Sequence, residues 1–418
     1  MIKENIFYER EDGSIFNIEG DIDINNYFNK DIKSKIIEKN NLPITWMNID
    51  LSQLEKNYKS ILKKVGLDVG IISVLKANAY GHGLIPIAKM LEKLKTDKIA
   101  IGSIDEAVIL RKNKIKTPII LLYPSFFNQF SMLLDLDVEI TVNDYSSIIL
   151  LNEIAKDKNK IAKIHIQINT GLNRYGVNIN NAFKLISNIY NELSFIKIES
   201  LWTHFTDAED EKLTTSQFNK FLNILKEISF SNIKIPSIHC ANSSAIVNFK
   251  KSYNKKIFNN ILPSIKVFVR PGCLIYGTLQ DKEGRFFNKP IISSILTHIT
   301  DINYVNKGEI VGYFKKYIAK KKLRIATIPI GWGNTGYLSK EATVLLNKKY
   351  ANKIGLISSN NFAIDITNIS RCNLETRVFL IKNNDKKISL CQVSETNNKF
   401  LNYFTSLLGS KIRKVYFK

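Results

Sequence analysis

With 418 residues, 44% of them hydrophobic and 10% aromatic, the chain has enough apolar material for two domains, or for one barrel with an appendage. No stretch approaches the roughly 20 apolar residues that cross a bilayer, and the four cysteines (Cys240, Cys273, Cys372, Cys391) lack the spacing of a zinc site or a disulfide framework. A net charge of +22 would suit a polyanion, but the lysines are spread along the chain in short clusters such as Lys320 to Lys322, which argues for a solvated surface and against nucleic acid.

Residues 1–43 are polar and weakly periodic and read as an N-terminal extension. The opening MIKENIFYEREDG has early acidic residues and no apolar run, so it does not read as a secretion signal, and cytoplasmic residence is expected. From Pro43 the pattern changes: PITWMNIDLSQLEKNYKSIL begins strand-like and continues with helical spacing. Eight short apolar runs then alternate with amphipathic stretches, namely VGIISVL, KIAIGS, TPIILLYP, VEITVN, AKIHIQIN, KIESLWTH, IPSIHC and IKVFVRPG. Near-continuous apolar strands separated by helices are what a parallel sheet covered on both faces requires, and eight of them predict a (β/α)8 barrel of the TIM type over residues 44–285. Beyond it, closely spaced β-rich runs with Gly and Asn punctuation, such as KLRIATIPIGW and FAIDIT, predict a mostly β, largely antiparallel domain over 286–418.

A barrel enzyme carries its chemistry at the C-terminal ends of its strands. After the first run stands Lys76-Ala77-Asn78-Ala79-Tyr80-Gly81-His82-Gly83, a lysine entering a loop of small residues. Two readings of Lys76 are open: an amine partly desolvated for Schiff-base chemistry, or a strand-end lysine reaching to solvent. After the seventh and eighth runs stand His239-Cys240-Ala241-Asn242-Ser243 and Arg270-Pro271-Gly272-Cys273, which gather hydroxyl and backbone N–H donors where barrels commonly bind phosphate. A lysine and a phosphate cradle at one barrel mouth suggest pyridoxal 5'-phosphate.

The strings VLKANAYGHG, NTGLNRYG, WTHFTDAEDE, HCANSSA and VRPGCLIYG, in this order, resemble the alanine racemase family from about Pro43 to the C-terminus. The resemblance implies a pyridoxal-phosphate-dependent racemase of a free amino acid, working as a homodimer with shared sites. It implies that Lys76 holds the cofactor and is the base on one face of the substrate α-carbon. Tyr80, Ser243 and Gly272 would contact the phosphate, the last through its backbone. Arg270 would hydrogen-bond the ring nitrogen, with His239 orienting it; Arg174 would lie near the substrate carboxylate. His204 would support the second proton-transfer residue, and its other reading is a satisfied core histidine. No metal is implied.

The family pattern breaks at several functional positions. Gln167 stands where many members carry a lysine that steadies the substrate arginine. Trp332 stands where a tyrosine serves as base on the opposite face, and an indole N–H cannot cycle a proton at useful pH. The motif reads IGWGNTGY, one residue longer than the family form, with Tyr337 the nearest tyrosine. Ser359 and Asn360 replace a Met-Asp pair at the substrate carboxylate site, and either Tyr403 or Asn402 falls where a tyrosine contacts the phosphate. Three readings follow: an amino-acid racemase for alanine or another amino acid, a catalytically impaired homologue that keeps the cofactor, and a polyanion-binding scaffold.

Overall fold

The computed structural model describes residues 7–9, 15–17, 44–281, 283–335, 342–397 and 400–418. The chain divides into two compact units, one made of residues 54–79 and 87–289, the other of residues 1–53, 80–86 and 290–418.

The first unit is the barrel. Its strands are β1 (Val69–Val74), β2 (Lys98–Ile101), β3 (Ile119–Leu121), β4 (Val138–Val142), β5 (Ala162–Asn169), β6 (Ile196–Trp202), β7 (Ser237–Asn242) and β8 (Lys266–Arg270). Each pairs in parallel with the next, and β8 pairs with β1 to close the ring. All eight correspond to the apolar runs read from the sequence, and the reason is burial: β3 and β4 have every residue buried. The loops that leave the strands end in side chains that cap the next helix. Ser103, Asp144, Asp210 and Asn242 each accept a hydrogen bond from a backbone N–H of the following first turn.

The second unit holds a sheet of largely antiparallel strands. In spatial order they are Asp301–Val305, Leu323–Ile328, Phe362–Asp365, Lys349–Ile354, Thr343–Leu346, Arg377–Lys382, Ile292–His298, Trp46–Asp50, Arg413–Phe417, Phe7–Glu9 and Ile15–Asn17. Val305, Val311, Ala319, Leu323, Ile325 and Ile354 form one core cluster under it. Two segments belong here that sequence order did not suggest. Trp46–Asp50, at the head of the span read as barrel, pairs antiparallel with Ile292–His298 and parallel with Arg413–Phe417. Within the N-terminal extension, Phe7–Glu9 pairs with both Ile15–Asn17 and Arg413–Phe417. Strand-like composition marks a segment as a strand, but the sheet that receives it is a long-range property.

The glycines of the AYGHG string answer to this unit. Gly81 (φ +83°) and Gly83 (φ +94°) adopt left-handed backbone, and a Cβ at Gly83 would lie 1.8 Å from the Tyr416 hydroxyl. That buried hydroxyl donates to the His82 carbonyl at 3.0 Å. Gly83→Ala combines a disfavoured backbone with a displaced tyrosine, so a loss of about 2–4 kcal/mol is expected in denaturant unfolding.

Candidate active site

Lys76 leaves the end of β1 into an unusual turn. Ala77, Asn78, Ala79 and Tyr80 all have φ between +52° and +56°, a left-handed run built from non-glycine residues. Two features hold its barrel part. The Ala79 N–H donates to the Leu75 carbonyl at 2.7 Å, and the Glu106 carboxylate accepts from the Asn78 N–H at 2.9 Å and the Gly102 N–H at 2.8 Å. Glu106 sits in the first turn of the helix Ile104–Lys112, whose cap Ser103 accepts from the Glu106 N–H, so the residue that closes the helix start also fastens the lysine turn. Glu106 was not singled out from the sequence, although Ser103-Ile104-Asp105-Glu106 directly after KIAIG carries the signal.

The Lys76 Nζ donates to the Tyr123 hydroxyl at 2.8 Å. Tyr123, at the end of β3, was also missed, and the rule that sites gather after strands would have found it. Its ring lies 5.9 Å from that of Tyr175, over which the Arg174 guanidinium sits at 5.8 Å. Arg174 is exposed and makes no hydrogen bond or ion pair among the described residues; Gln167 is buried, its Oε1 likewise unpartnered among them. The structure thus does not join Gln167 to Arg174.

Arg270, at the end of β8, is 3% exposed. One terminal nitrogen donates to His239 Nδ1 at 2.7 Å and to the His239 carbonyl at 2.5 Å. The other donates to the Thr203 carbonyl at 2.8 Å, to His204 Nδ1 at 3.2 Å and to the Cys240 carbonyl at 3.3 Å. Trp202 stacks on the His239 ring and lies 4.7 Å beneath the guanidinium. Its Nε–H has no acceptor among the described residues. Burial pulls Arg270 down to about 10, which leaves it charged at neutral pH. Burial, and then the Arg270 charge, hold His204 and His239 well below the ordinary histidine value. Both are neutral.

Ser243 follows β7. Its Oγ accepts from the Gly272 N–H at 2.9 Å and the Leu274 N–H at 3.3 Å, so its own proton remains to be donated. After β2, a Cβ at Gly102 would lie 3.1 Å from the Lys76 Cβ and 3.3 Å from Tyr123, so the bare backbone keeps room beside the lysine.

The remaining candidates lie in the second unit. The Trp332 N–H donates to the Ser358 carbonyl at 3.1 Å and the Gly333 N–H to the Ser359 carbonyl at 2.8 Å, which brings the two diverged segments together. Trp332 is 54% exposed; Ser359 and Asn360 are exposed too. Tyr403 is exposed on the helix Leu401–Gly409, next to Asn402. Tyr80 continues the left-handed turn into this unit, and Tyr337 lies outside the described residues.

The alanine racemase N-terminal domain family matches residues 49–280, and the alanine racemase C-terminal domain family matches residues 292–416. The chain belongs to the alanine racemase family. It is 34% identical over 360 residues to the alanine racemase of Halothermothrix orenii, covering 84% of this chain and 91% of that one. A solved alanine racemase of Clostridium difficile superposes with a TM-score of 0.82 at 26% identity, over 90% of this chain and 96% of that one. The fold is shared as well with the alanine racemase of Bartonella henselae, solved with covalently bound pyridoxal phosphate, at a TM-score of 0.74 and 22% identity, over 88% and 100% of the two chains. As in this family, the chain joins a parallel eight-stranded barrel to a mostly β C-terminal domain.

The buried histidines make the fold sensitive to acid. Burial lowers His165, His204 and His239, and brings His298 down to about 4. The unfolded chain takes up protons as pH falls through about 6.5 and the folded chain does not, so stability is lost below that value. A melting temperature lower by on the order of 10 °C at pH 5 than at pH 7 is expected in calorimetry.

Proposed function

We propose that this chain is a pyridoxal-phosphate-dependent amino-acid racemase that interconverts the enantiomers of alanine or a closely related free amino acid. The observation that carries this reading is a pair of pre-set donors. Arg270 is locked by His239, His204 and two backbone carbonyls with its Nε–H unspent, and Ser243 is locked by two backbone N–H groups with its hydroxyl proton unspent. The residues fit the cofactor: Ser243 and the Gly272 backbone suit its phosphate, with Tyr80 a further contact, and Arg270 suits its ring nitrogen. Lys76, with space kept by Gly102, suits its aldehyde carbon.

The cofactor, when bound, withdraws electrons from the substrate and so acidifies its α-C–H bond. The Lys76 Nζ removes or returns that proton on one face, with the Tyr123 hydroxyl within hydrogen-bonding distance to hold the amine. Arg174, exposed on its loop, is suited to a substrate carboxylate. His204, neutral, props Arg270 from one side. The Trp332 indole cannot cycle a proton, and relatedness to alanine racemases favours an active enzyme over an impaired one, so another group or a water would carry the proton on the opposite face. The four free cysteines suit a reducing compartment such as the cytoplasm, and no helix among the described residues is long and apolar enough to cross a membrane.

Family membership supports a homodimer, as do the exposed rings of Tyr304, Tyr313 and Phe314 in the second unit. Polarimetry of the cofactor-reconstituted protein tests the function: rotation of L-alanine, or of one member of an amino-acid panel, should decay to zero. Unchanged rotation for every amino acid, with cofactor bound, would refute the reading.

A further inference from the structure

The hydrogen-bond network of Arg270 and His239 continues beyond the candidate site. His239 Nε2 lies 2.9 Å from His165 Nδ1, and His165 Nε2 lies 2.5 Å from Glu139 Oε2. Glu139 in turn accepts from the Lys98 Nζ at 2.5 and 2.6 Å. His165, Glu139 and His239 are all buried, on strands β5, β4 and β7.

Protonation along this chain follows from one fact: a guanidinium only donates. His239 Nδ1 accepts from Arg270, so the neutral ring carries its proton on Nε2 and donates it to His165 Nδ1. His165 Nδ1 is therefore bare, and its proton sits on Nε2, donated to Glu139. Were His165 an imidazolium, His239 would have to be an imidazolate. Burial also favours neutral rings at both positions. Burial raises Glu139, but the hydrogen bonds from His165 and Lys98 and the charge of Lys98 hold it below the usual carboxylate range. Every hydrogen bond from Arg270 to Glu139 points the same way, from a cation to an anion.

We propose that Glu139 and His165 are positioning residues for Arg270: the Glu139 carboxylate, acting through His165 and His239, makes His239 Nδ1 a stronger acceptor and fixes the direction in which Arg270 presents its remaining N–H. The proposal rests on the cofactor reading for what Arg270 faces, but the hydrogen-bond chain itself does not. A guanidinium held firmly against the ring nitrogen discourages protonation there. When that hold slackens the ring becomes a stronger electron sink. The α-proton then returns more often to the cofactor carbon than to the substrate, and addition of water releases a 2-oxo acid while the amino group stays on the cofactor.

Selective 15N labelling of the five histidines in the full chain reads the chain directly. His165 and His239 should both be neutral Nε2–H tautomers at pH 7, with or without cofactor. A proton on Nδ1 of either ring would overturn the proposal. In the reconstituted enzyme, Glu139→Gln should lower kcat about tenfold with KM nearly unchanged, and raise 2-oxo acid released per turnover by a similar factor, as expected for losing one charge-assisted link. Should Glu139→Gln fail to fold because Lys98 is stranded, the pair Lys98→Met and Glu139→Gln removes that charge and carries the same readout. Unchanged kcat and 2-oxo acid in a folded variant would overturn the proposal by showing a purely structural chain. Correct tautomers in a protein that takes up no pyridoxal phosphate would support the chain and refute the cofactor reading instead.

Discussion

Lys76→Ala is expected to abolish the visible absorbance of the reconstituted protein and to lower racemisation by at least about 10⁴-fold, because in the proposed reaction one side chain would supply both the cofactor linkage and a proton-transfer group. The fold should survive, since Lys76 lies beyond the end of β1 and its hydrogen bond to Tyr123 is a side-chain contact. Borohydride reduction of the wild-type protein followed by peptide mapping should place the cofactor on the peptide containing Lys76. Persistence of the absorbance in the variant, or a label on another lysine, would contradict the assignment.

The second large effect concerns how that lysine is held. A left-handed conformation costs a non-glycine residue roughly 1–2 kcal/mol, so the four from Ala77 to Tyr80 store about 4–8 kcal/mol of strain. The Glu106 carboxylate opposes that strain by accepting from two backbone N–H groups, one inside the turn and one at Gly102 beside the lysine. Glu106→Ala should cost about 3–6 kcal/mol of stability, the worth of two charge-assisted bonds. If the turn then opens locally, apparent cofactor affinity falls in proportion to the population that stays closed, and a weakening of tenfold or more is expected in an absorbance titration. Glu106→Gln, which keeps one acceptor and turns an amide toward the other N–H, should fall between. Wild-type affinity and melting temperature in Glu106→Ala would show that the turn is held elsewhere.

Much of the barrel was legible because its strands are buried on both faces, so each apolar run in the sequence became one strand in the expected order. The destination of Trp46–Asp50 was not legible: its alternation marks a strand, while its partners at Ile292–His298 and Arg413–Phe417 stand more than 240 residues away. At the candidate site, Lys76, Ser243, His239 and Arg270 stood out in the sequence because their strings are locally distinctive, and the structure places them on barrel strands or just beyond their ends. Tyr123 and Glu106 were missed for a different reason. Each acts on Lys76 from a neighbouring strand or helix, and only strand order brings them together. Glu139 and His165 were not singled out either, because only the closed ring places them in line behind His239.

In the proposed reaction a barrel lysine and a second proton carrier, which is not Trp332, together invert an α-carbon. Incubating the reconstituted protein with L-alanine in deuterated buffer, and following deuterium content and configuration together, separates inversion from exchange on one face. Deuterated D-alanine should accumulate until the enantiomers are equal. Deuterium entering L-alanine with no D-alanine formed would contradict the claim, since it would show that Lys76 exchanges the proton alone on one face.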